Sequence, residues 1–460
     1  MVAEAPKRGQ KLTVTAGRWA ADGTSRSQLE SGWELRVHGL IPGELCEVGV
    51  THISGGGRVV WGVRESLLQP HPARRPPPCA VAEQCGACGL LHVGEGDQFR
   101  LKVESALPDL PSVLTETLVQ KSQWTRSPQA LSYRHKAVFI PQIAKQRLVL
   151  GGYGRGTHDV VDLPHCEVLS PSLRKARYQI HSVLEQDIQT SVRLVRSLIL
   201  RANRAGEVLV TVILWQEAGQ DFLQRLKHLI DGQGPVVGLH IQQHRAEGNR
   251  VSGLGPVEHL AGEPRLEEKV LGRPFQIRPL AFFQVNPDVL EKIILLLRER
   301  LPALSRPGQT DDPVPTLLDL YCGGGVLGLG ILGDDIRWHL IGIDSTAEGI
   351  QDARNNAEKL RPGRATFIEG NVEEMLGEEQ LREAQVAVID PPRAGLRAEA
   401  LRALAESGPP VLFYVACSTA ALARDSRALM ASGYVPEFLC PADMMPQTPY
   451  VEWIAGFRRP

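Results

Sequence analysis

The chain has 460 residues, enough for about three domains with sizeable cores. Its 43% hydrophobic and 22% charged residues exclude a disordered or fibrous chain and fit a globular one. The net charge of −1 conceals an asymmetry: residues 121–250 carry 18 Lys and Arg against 10 Asp and Glu, and residues 311–400 carry 8 against 17, so a polyanion is expected to meet the middle of the chain.

Residues 1–74 read as short strands (KLTVTA, WELRVHGL, GELCEVGVTHI, GRVVWGVRESLL) between the turn signals ADGTS, IPGE and SGGG, which predicts a small β-barrel. HPARRPPP then stiffens the chain and marks a boundary. Residues 75–278 open with PPPCAVAEQCGACGLLH and a helical stretch near FRLKVESAL. Strand-like runs such as EVLVTVILW then mix with helical ones such as LRKARYQIHSVLEQ, an α+β pattern. Residues 279–460 alternate helix and buried strand: EKIILLLRERL, TLLDLY, HLIGID, AEGIQDARNNAEKL, QVAVIDPP and PVLFYVACS. That alternation predicts a parallel, doubly wound sheet of the α/β class.

No stretch reaches the roughly 20 apolar residues of a membrane span, and MVAEAPKRGQKLTV lacks a signal-peptide core. A cytoplasmic location is therefore expected, and the eight cysteines do not read as a disulfide framework.

TLLDLYCGGGVLGLG runs an apolar strand into a glycine turn. Gly323, Gly325 and Gly328 fit G-x-G-x-x-G, and Asp344 ends the next strand, as in a dinucleotide site. The same residues fit a class I methyltransferase, in which Asp319 precedes the turn, the turn approaches the methionine part of S-adenosylmethionine, and Asp344 accepts from ribose hydroxyls. The next motifs separate the two. In VAVIDPPRAG, Asp390 points from a strand end into the ligand crevice, and Pro391-Pro392 make a stiff rim without N–H groups beside it. In YVACSTAALARD, Cys417 follows an apolar run. Carbon 5 of uracil is a poor nucleophile until a thiolate adds to carbon 6 and turns carbon 5 into an enolate-like carbanion; a base must later remove the carbon 5 proton so that the thiolate can leave. Cys417 stands where such a nucleophile belongs.

With these motifs the sequence resembles the S-adenosylmethionine-dependent RNA uracil-5 methyltransferases. FFQVN (282–286) resembles the family's cofactor-binding glutamine motif, LDLYCGGG (318–325) its glycine turn and DPPRAG (390–395) its strand-four signature. YVACSTAALARD resembles its nucleophile motif, and MMPQTPYVE (444–452) its closing motif with the general base. The resemblance implies a class I, Rossmann-like methyltransferase domain at 279–460, a TRAM or OB-like RNA-binding β-barrel at 1–74 and a central α+β iron–sulfur domain at 75–278. It implies Cys417 as nucleophile, Glu452 as base, and Gln284, Tyr321, Gly323, Gly325, Asp344, Asn371 and Asp390 around the cofactor or target base. Three positions depart from the pattern: Ser418-Thr419 replace the usual Asn-Pro, Val326 replaces an asparagine, and Asp344 replaces a glutamate.

Cys79, Cys85 and Cys88 give three soft ligands within ten residues, and Cys166 is a remote fourth. Four thiolates suit zinc or an iron–sulfur cluster; by resemblance to many family members the set is a 4Fe-4S site, a structural clip or RNA-contact scaffold. Phosphate contacts are expected from Arg134, His135, Lys136 and Arg155, with Tyr133 and Tyr153 stacking unpaired bases. The partner is an RNA, ribosomal or transfer, with no DNA or membrane expected. The rival readings are a class I methyltransferase acting on an exocyclic nitrogen of RNA, a catalytically degenerate RNA-binding protein and, more distantly, a nicotinamide oxidoreductase.

Overall fold

The computed structural model describes residues 6–55, 57–230, 234–244, 255–302, 314–376 and 378–460, with the backbone alone for 378–380. The start of the expected barrel (1–5) and, within the basic middle stretch, residues 231–233 and 245–250 lie outside the described residues.

Strands β1 (Lys11–Thr15), β2 (Ser25–Gln28), β3 (Glu34–Val37), β4 (Leu45–Ile53) and β5 (Val59–Gln69) form one sheet in the order β1-β4-β5-β3-β2. Beyond β1 the chain turns back on β2, where the Arg26 N–H donates to the Arg18 carbonyl at 2.9 Å, so the two edges are drawn together. Alternation along β4 puts Cys46, Val48 and Val50 inside with Val14, Leu35 and Val60. The linker is fastened to this unit: Arg74 pairs with the fully buried Glu44 at 2.5 Å.

Helices α1 (Glu95–Ala106) and α2 (Ser112–Thr115) lead into β6 (Lys136–Ala144), β7 (Arg147–Tyr153) and β8 (Val160–Asp162). After α3 (Pro171–Glu185) and α4 (Ile188–Leu194) come β9 (Val195–Ala202), β10 (Val208–Leu214), α5 (Gln220–Lys227), β11 (Val236–Gln243) and β12 (Val257–Gly262). The second sheet runs β12-β11-β10-β9-β6-β7-β8, with β10 and β11 parallel and its other pairs antiparallel. Leu198, Leu200, Val210 and Val212 bury one face against Leu173, Ile180 and Phe222 of the helices.

The chain continues through the hairpin β13 (Leu266–Val270) and β14 (Arg273–Ile277), α6 (Pro287–Arg298), β15 (Thr316–Leu320) and α7 (Val326–Leu332). Then come β16 (His339–Asp344), α8 (Ala347–Leu360), β17 (Ala365–Glu369), α9 (Val372–Met375), α10 (Glu378–Glu383) and β18 (Ala384–Ile389). The last elements are α11 (Ala398–Ser407), β19 (Val411–Ala416), α12 (Thr419–Ala431), β20 (Val435–Ala442) and β21 (Glu452–Arg458). The sheet order is β17-β16-β15-β18-β19-β21-β20, parallel except for β21, which runs antiparallel to both neighbours. Strand order reverses at β15 and β18, and ligands of such sheets bind beyond the strand ends at that point.

Two segments of the expected central unit (75–278) pack on the third sheet instead. The reason is apolar burial: Phe99, Val103, Leu114 and Trp124 join the core of β18, β19 and β21, and Val270, Phe275 and Ile277 of the β13–β14 hairpin join that of α6–α8. Residues 117–125 also run beside edge strand β20, with Val119 N–H donating to the Leu439 carbonyl and Thr125 N–H to that of Pro441, both at 3.0 Å. Their presence covers the sheet edge. No helix among the described residues is long and apolar enough to cross a membrane.

Candidate active site

A cavity of about 670 Å³ opens beyond the carboxyl ends of β15, β16 and β18. Every residue expected around the cofactor or in catalysis lines it except Gly325. At the end of β15, Tyr321 takes a left-handed conformation (φ 63°) and its hydroxyl donates to Glu373 Oε1 at 2.9 Å. Gly323 (φ 51°) donates its N–H to Asp344 Oδ2 at 2.9 Å. Asp344 Oδ1 accepts from the N–H and hydroxyl of Thr346 at 2.8 and 2.6 Å, so the carboxylate is fixed from two sides while still facing the cavity. Gly325 (φ 73°) begins α7, and a Cβ there would lie 2.9 Å from the Phe367 ring, so it shapes the turn from behind. Asn371 precedes α9 and donates to Glu374 Oε1 at 3.1 Å.

Gln284 Nε2 donates to Asp390 Oδ2 at 3.3 Å across the switch point. Behind them, Asp319 is fully buried: Oδ2 accepts the Gly328 N–H at 2.9 Å, Oδ1 has no partner, and burial pushes its carboxyl up to about 8. Val326 lines a small pocket with Asp319, Gln284 and Asp390.

Cys417 and Glu452 come together through strand register. The β19–β21 ladder ends at the pair Ala416–Trp453, so the next residues, Cys417 and Glu452, leave it side by side. Ser418 Oγ caps α12 by accepting from Ala421 N–H at 3.3 Å, and Thr419 Oγ1 accepts from Trp453 Nε1 at 2.9 Å. Serine caps a helix as asparagine does, so Ser418 serves as the cap here, and Thr419 ties the nucleophile turn to β21.

Electrostatics at this point are strongly perturbed. Burial, the charge of Glu452 and that of Asp390 push the Cys417 thiol up to about 11, and Arg393 opposes them. Burial raises Asp390 well above the usual carboxylate range, and burial plus the charge of Asp390 does the same to Glu452. Two such carboxyls titrate as a pair that favours holding a proton. The free site therefore holds a thiol next to proton acceptors poised near neutrality. Arg393, whose guanidinium lies 4.4 Å from the Tyr450 ring centroid, is the cation that acts on the thiol, and Arg397 also lines the cavity. Sequence reasoning quoted Arg393 inside DPPRAG without giving it a role, and also missed Thr346 and Glu373, which line the cavity two residues beyond Asp344 and Asn371.

The segment carrying Glu452 is anchored by α1. Lys102, 1% exposed, pairs with Asp443 at 2.6 Å and donates to the Met445 carbonyl at 3.2 Å. Gln98 exchanges hydrogen bonds with Gln447, accepting from its N–H at 2.7 Å and donating to its Oε1 at 3.0 Å. Tyr133, expected to stack bases, is buried, and its hydroxyl donates to the Pro446 carbonyl at 3.0 Å. It is a brace, because its apolar ring and hydroxyl are both satisfied inside. Tyr153 is 48% exposed.

Cys79, Cys85, Cys88 and Cys166 are free, partly exposed and near enough to act on one another. Burial, then Cys166 and Cys85, push Cys88 up to about 12. The Cys85 segment is held against residues 153–155, with Gly86 N–H donating to the Tyr153 carbonyl at 3.4 Å and Arg155 N–H to that of Gln84 at 3.0 Å. Among the described residues no three His, Cys, Asp or Glu side chains converge as on one metal ion.

Comparison with known proteins gives the family. The chain is 31% identical to an uncharacterized RNA methyltransferase of Gloeobacter violaceus, over 98% of this chain and 97% of that one. It is likewise 31% identical to an uncharacterized RNA methyltransferase of Parasynechococcus marenigrum, over 99% and 97%. The chain belongs to this RNA methyltransferase family. A family model described as a methyltransferase domain matches residues 312–390, a span that takes in β15 to β18. The RNA methyltransferase fold also resembles the crystal structure of Pyrococcus abyssi tRNA (uracil-54, C5)-methyltransferase in complex with S-adenosyl-L-homocysteine, at a TM-score of 0.73 and 20% identity, covering 97% of this chain and 100% of that one.

Proposed function

We propose that this RNA methyltransferase transfers a methyl group from S-adenosylmethionine to carbon 5 of a uridine in transfer or ribosomal RNA, with Cys417 as nucleophile and Glu452 as general base. The observation that carries the reading is that Cys417 and Glu452 both line the cavity walled by Gln284, Asp344 and Asn371, each one residue beyond the last pair of the β19–β21 ladder.

The residues present fit the cofactor. Asp344 and Glu373 line the cavity, and a sulfonium and an ammonium group bound there would favour ionisation of Asp390, Glu452 and the buried Asp319 beside it. Asp344 would hold the ribose, Tyr321, Gly323 and Asn371 the cavity wall around the cofactor, and Gln284 with Asp390 its border with the base. Bound there, S-adenosylmethionine supplies an electrophilic methyl group. Gly325 contributes by holding the turn.

Cys417 starts as a thiol and must lose its proton on addition to carbon 6; the adjacent carboxyl pair, poised near neutrality, accepts it and passes it to solvent, so that Glu452 is ionised again before the carbon 5 proton leaves. Arg393 counters the negative charge of the thiolate. After carbon 5 has been methylated, Glu452 takes its proton and the carbon–sulfur bond breaks, which returns Cys417 as thiolate. The buried setting of Glu452 is what makes it basic enough for that step.

Cys79, Cys85, Cys88 and Cys166 are assigned to a 4Fe-4S cluster. The four-thiol donor set and its mutual electrostatic contact support this, and a cluster holds its cysteine sulfurs farther apart than a single zinc does. The domain reading follows: 1–74 as an RNA-binding TRAM-like barrel, 75–278 as the cluster-bearing middle with Arg155 and Tyr153 toward RNA, less the two segments that pack on the third sheet, and 279–460 as the methyltransferase unit in the cytoplasm.

The test is covalent trapping. RNA carrying 5-fluorouridine at the target should form a denaturant-stable adduct with the wild type and none with Cys417→Ala, because fluorine leaves no removable proton on carbon 5. Equal methyl transfer by the alanine variant would overturn the assignment and favour attack by an exocyclic nitrogen.

A further inference from the structure

Cys417 and Arg393 each line two cavities. The second, of about 420 Å³, lies on the other side of the thiol and is walled by three parts of the chain: Trp19–Ala21 from the first sheet's unit, Lys102 to Asp109 at the end of α1, and the start of α12 with Tyr450. Its volume is within the roughly 300–1,000 Å³ of small-ligand sites. The walls are built rather than incidental. Arg18 donates to the Ser105 carbonyl at 3.0 Å and pairs with Asp109 at 2.6 Å, which seats the 18–23 turn on α1. Trp19 is buried with its Nε1 donating to the Leu40 carbonyl at 2.7 Å, and a Cβ on Gly23 would lie 3.2 Å from Pro449.

The charge left in this cavity is positive. Lys102 is neutralised by Asp443, and Asp109 by Arg18, so Arg393 and Arg427 remain. Apolar walls from Trp19, Ala20, Ala106 and Val451 stand beside them. Among the described residues Arg427 has no acidic partner, and Arg393, which faces the thiol, adds a second positive charge at the border. Apolar surface next to such cations fits one base with its phosphate. The cofactor-side cavity already has the carboxylates and the glutamine that a target uracil needs, and a strand leaving Cys417 must continue into whatever space adjoins it.

We propose that this second cavity holds the nucleotide adjacent to the target uridine in the RNA strand, its base against the Trp19–Ala21 turn and its phosphate toward Arg393 and Arg427. The inference rests on the uridine reading above for the identity of the target, and on the cavity itself for the neighbour. It gives the N-terminal unit a role in choosing which uridine is modified, since Trp19–Ala21 form one wall of the pocket although they lie 396–398 residues from Cys417 in sequence.

Ala20→Phe fills the cavity from a turn outside the catalytic machinery, and Arg427→Glu reverses one of its charges. Each should raise the RNA KM and dissociation constant about tenfold, the worth of one stacked base or phosphate, with kcat within about threefold and S-adenosylmethionine affinity unchanged by calorimetry. An abasic residue placed in turn at each position flanking the target should weaken binding to the wild type at one neighbour and cost nothing further in Ala20→Phe. Unchanged RNA affinity in both variants, or an abasic penalty that adds in full to Ala20→Phe, would overturn the proposal. If the uridine reading alone fails, 5-fluorouridine RNA will not trap the wild type, and the dissociation constants still decide the cavity.

Discussion

Cys417 stands at the end of a strand buried along its whole length, whereas Cys79, Cys85, Cys88 and Cys166 sit on connecting segments held by a few backbone contacts. In the first place burial, then neighbouring carboxyls, set the thiol, and a seven-stranded sheet sets its position. In the second, burial first and then neighbouring thiols set Cys88, and little regular structure fixes the group. A reactive group on a strand end is placed to within the precision of the ladder, while a set of loop thiols gains definition from what it binds.

The sharpest way to break that contrast is at the base. Glu452→Gln should slow turnover by roughly 10²–10⁴-fold, the usual share of a general base, and should accumulate a methylated enzyme–RNA adduct through Cys417 on denaturing gels. Normal turnover without adduct would move the base to Asp390.

Next is the brace behind the base. Lys102→Met removes one partner of the buried Lys102–Asp443 pair and should cost about 3 kcal/mol in urea unfolding, with a larger loss of kcat than of cofactor affinity. A variant as stable and active as the wild type would show that the 443–451 segment holds itself.

On the loop side, Cys88→Ser should empty the protein of iron and sulfide, measured after anaerobic purification, and lower the melting temperature by about 5 °C. Trapping at Cys417 should stay within about threefold once RNA is saturating, if the two cysteine sites serve separate ends. One zinc and no iron in the wild type would replace the cluster with a mononuclear site.

The smallest effect is a pH shift. Glu452 must be ionised to take the proton, and burial with Asp390 raises its pKa, so activity should fall as pH drops through a limb lying above the ordinary carboxylate range. Asp390→Asn removes the like charge and should move that limb to lower pH in single-turnover kinetics at saturating cofactor; an unmoved limb would place the two carboxyls in separate titrations.

Much of this was legible in the chain itself. Helix–strand alternation after residue 279 dictated a parallel sheet because strands buried on both faces must be apolar throughout, as β19 is. The glycine turn, DPPRAG and the Cys417 motif named residues that line one cavity, since chemistry at strand ends is tied to local sequence. Tertiary structure decided the rest. Tyr133 reads as a surface aromatic beside Arg134, yet folding buries it under Pro446, and residues 95–125 look like part of the middle unit until Phe99 and Trp124 find the third core. Register between β19 and β21 put Glu452 beside Cys417, and only the seating of the 18–23 turn on α1 made a second cavity there. The physical reason is that periodicity and turn chemistry act over a few residues, whereas which apolar faces meet, and which polar groups are thereby desolvated, depends on segments far apart in the chain.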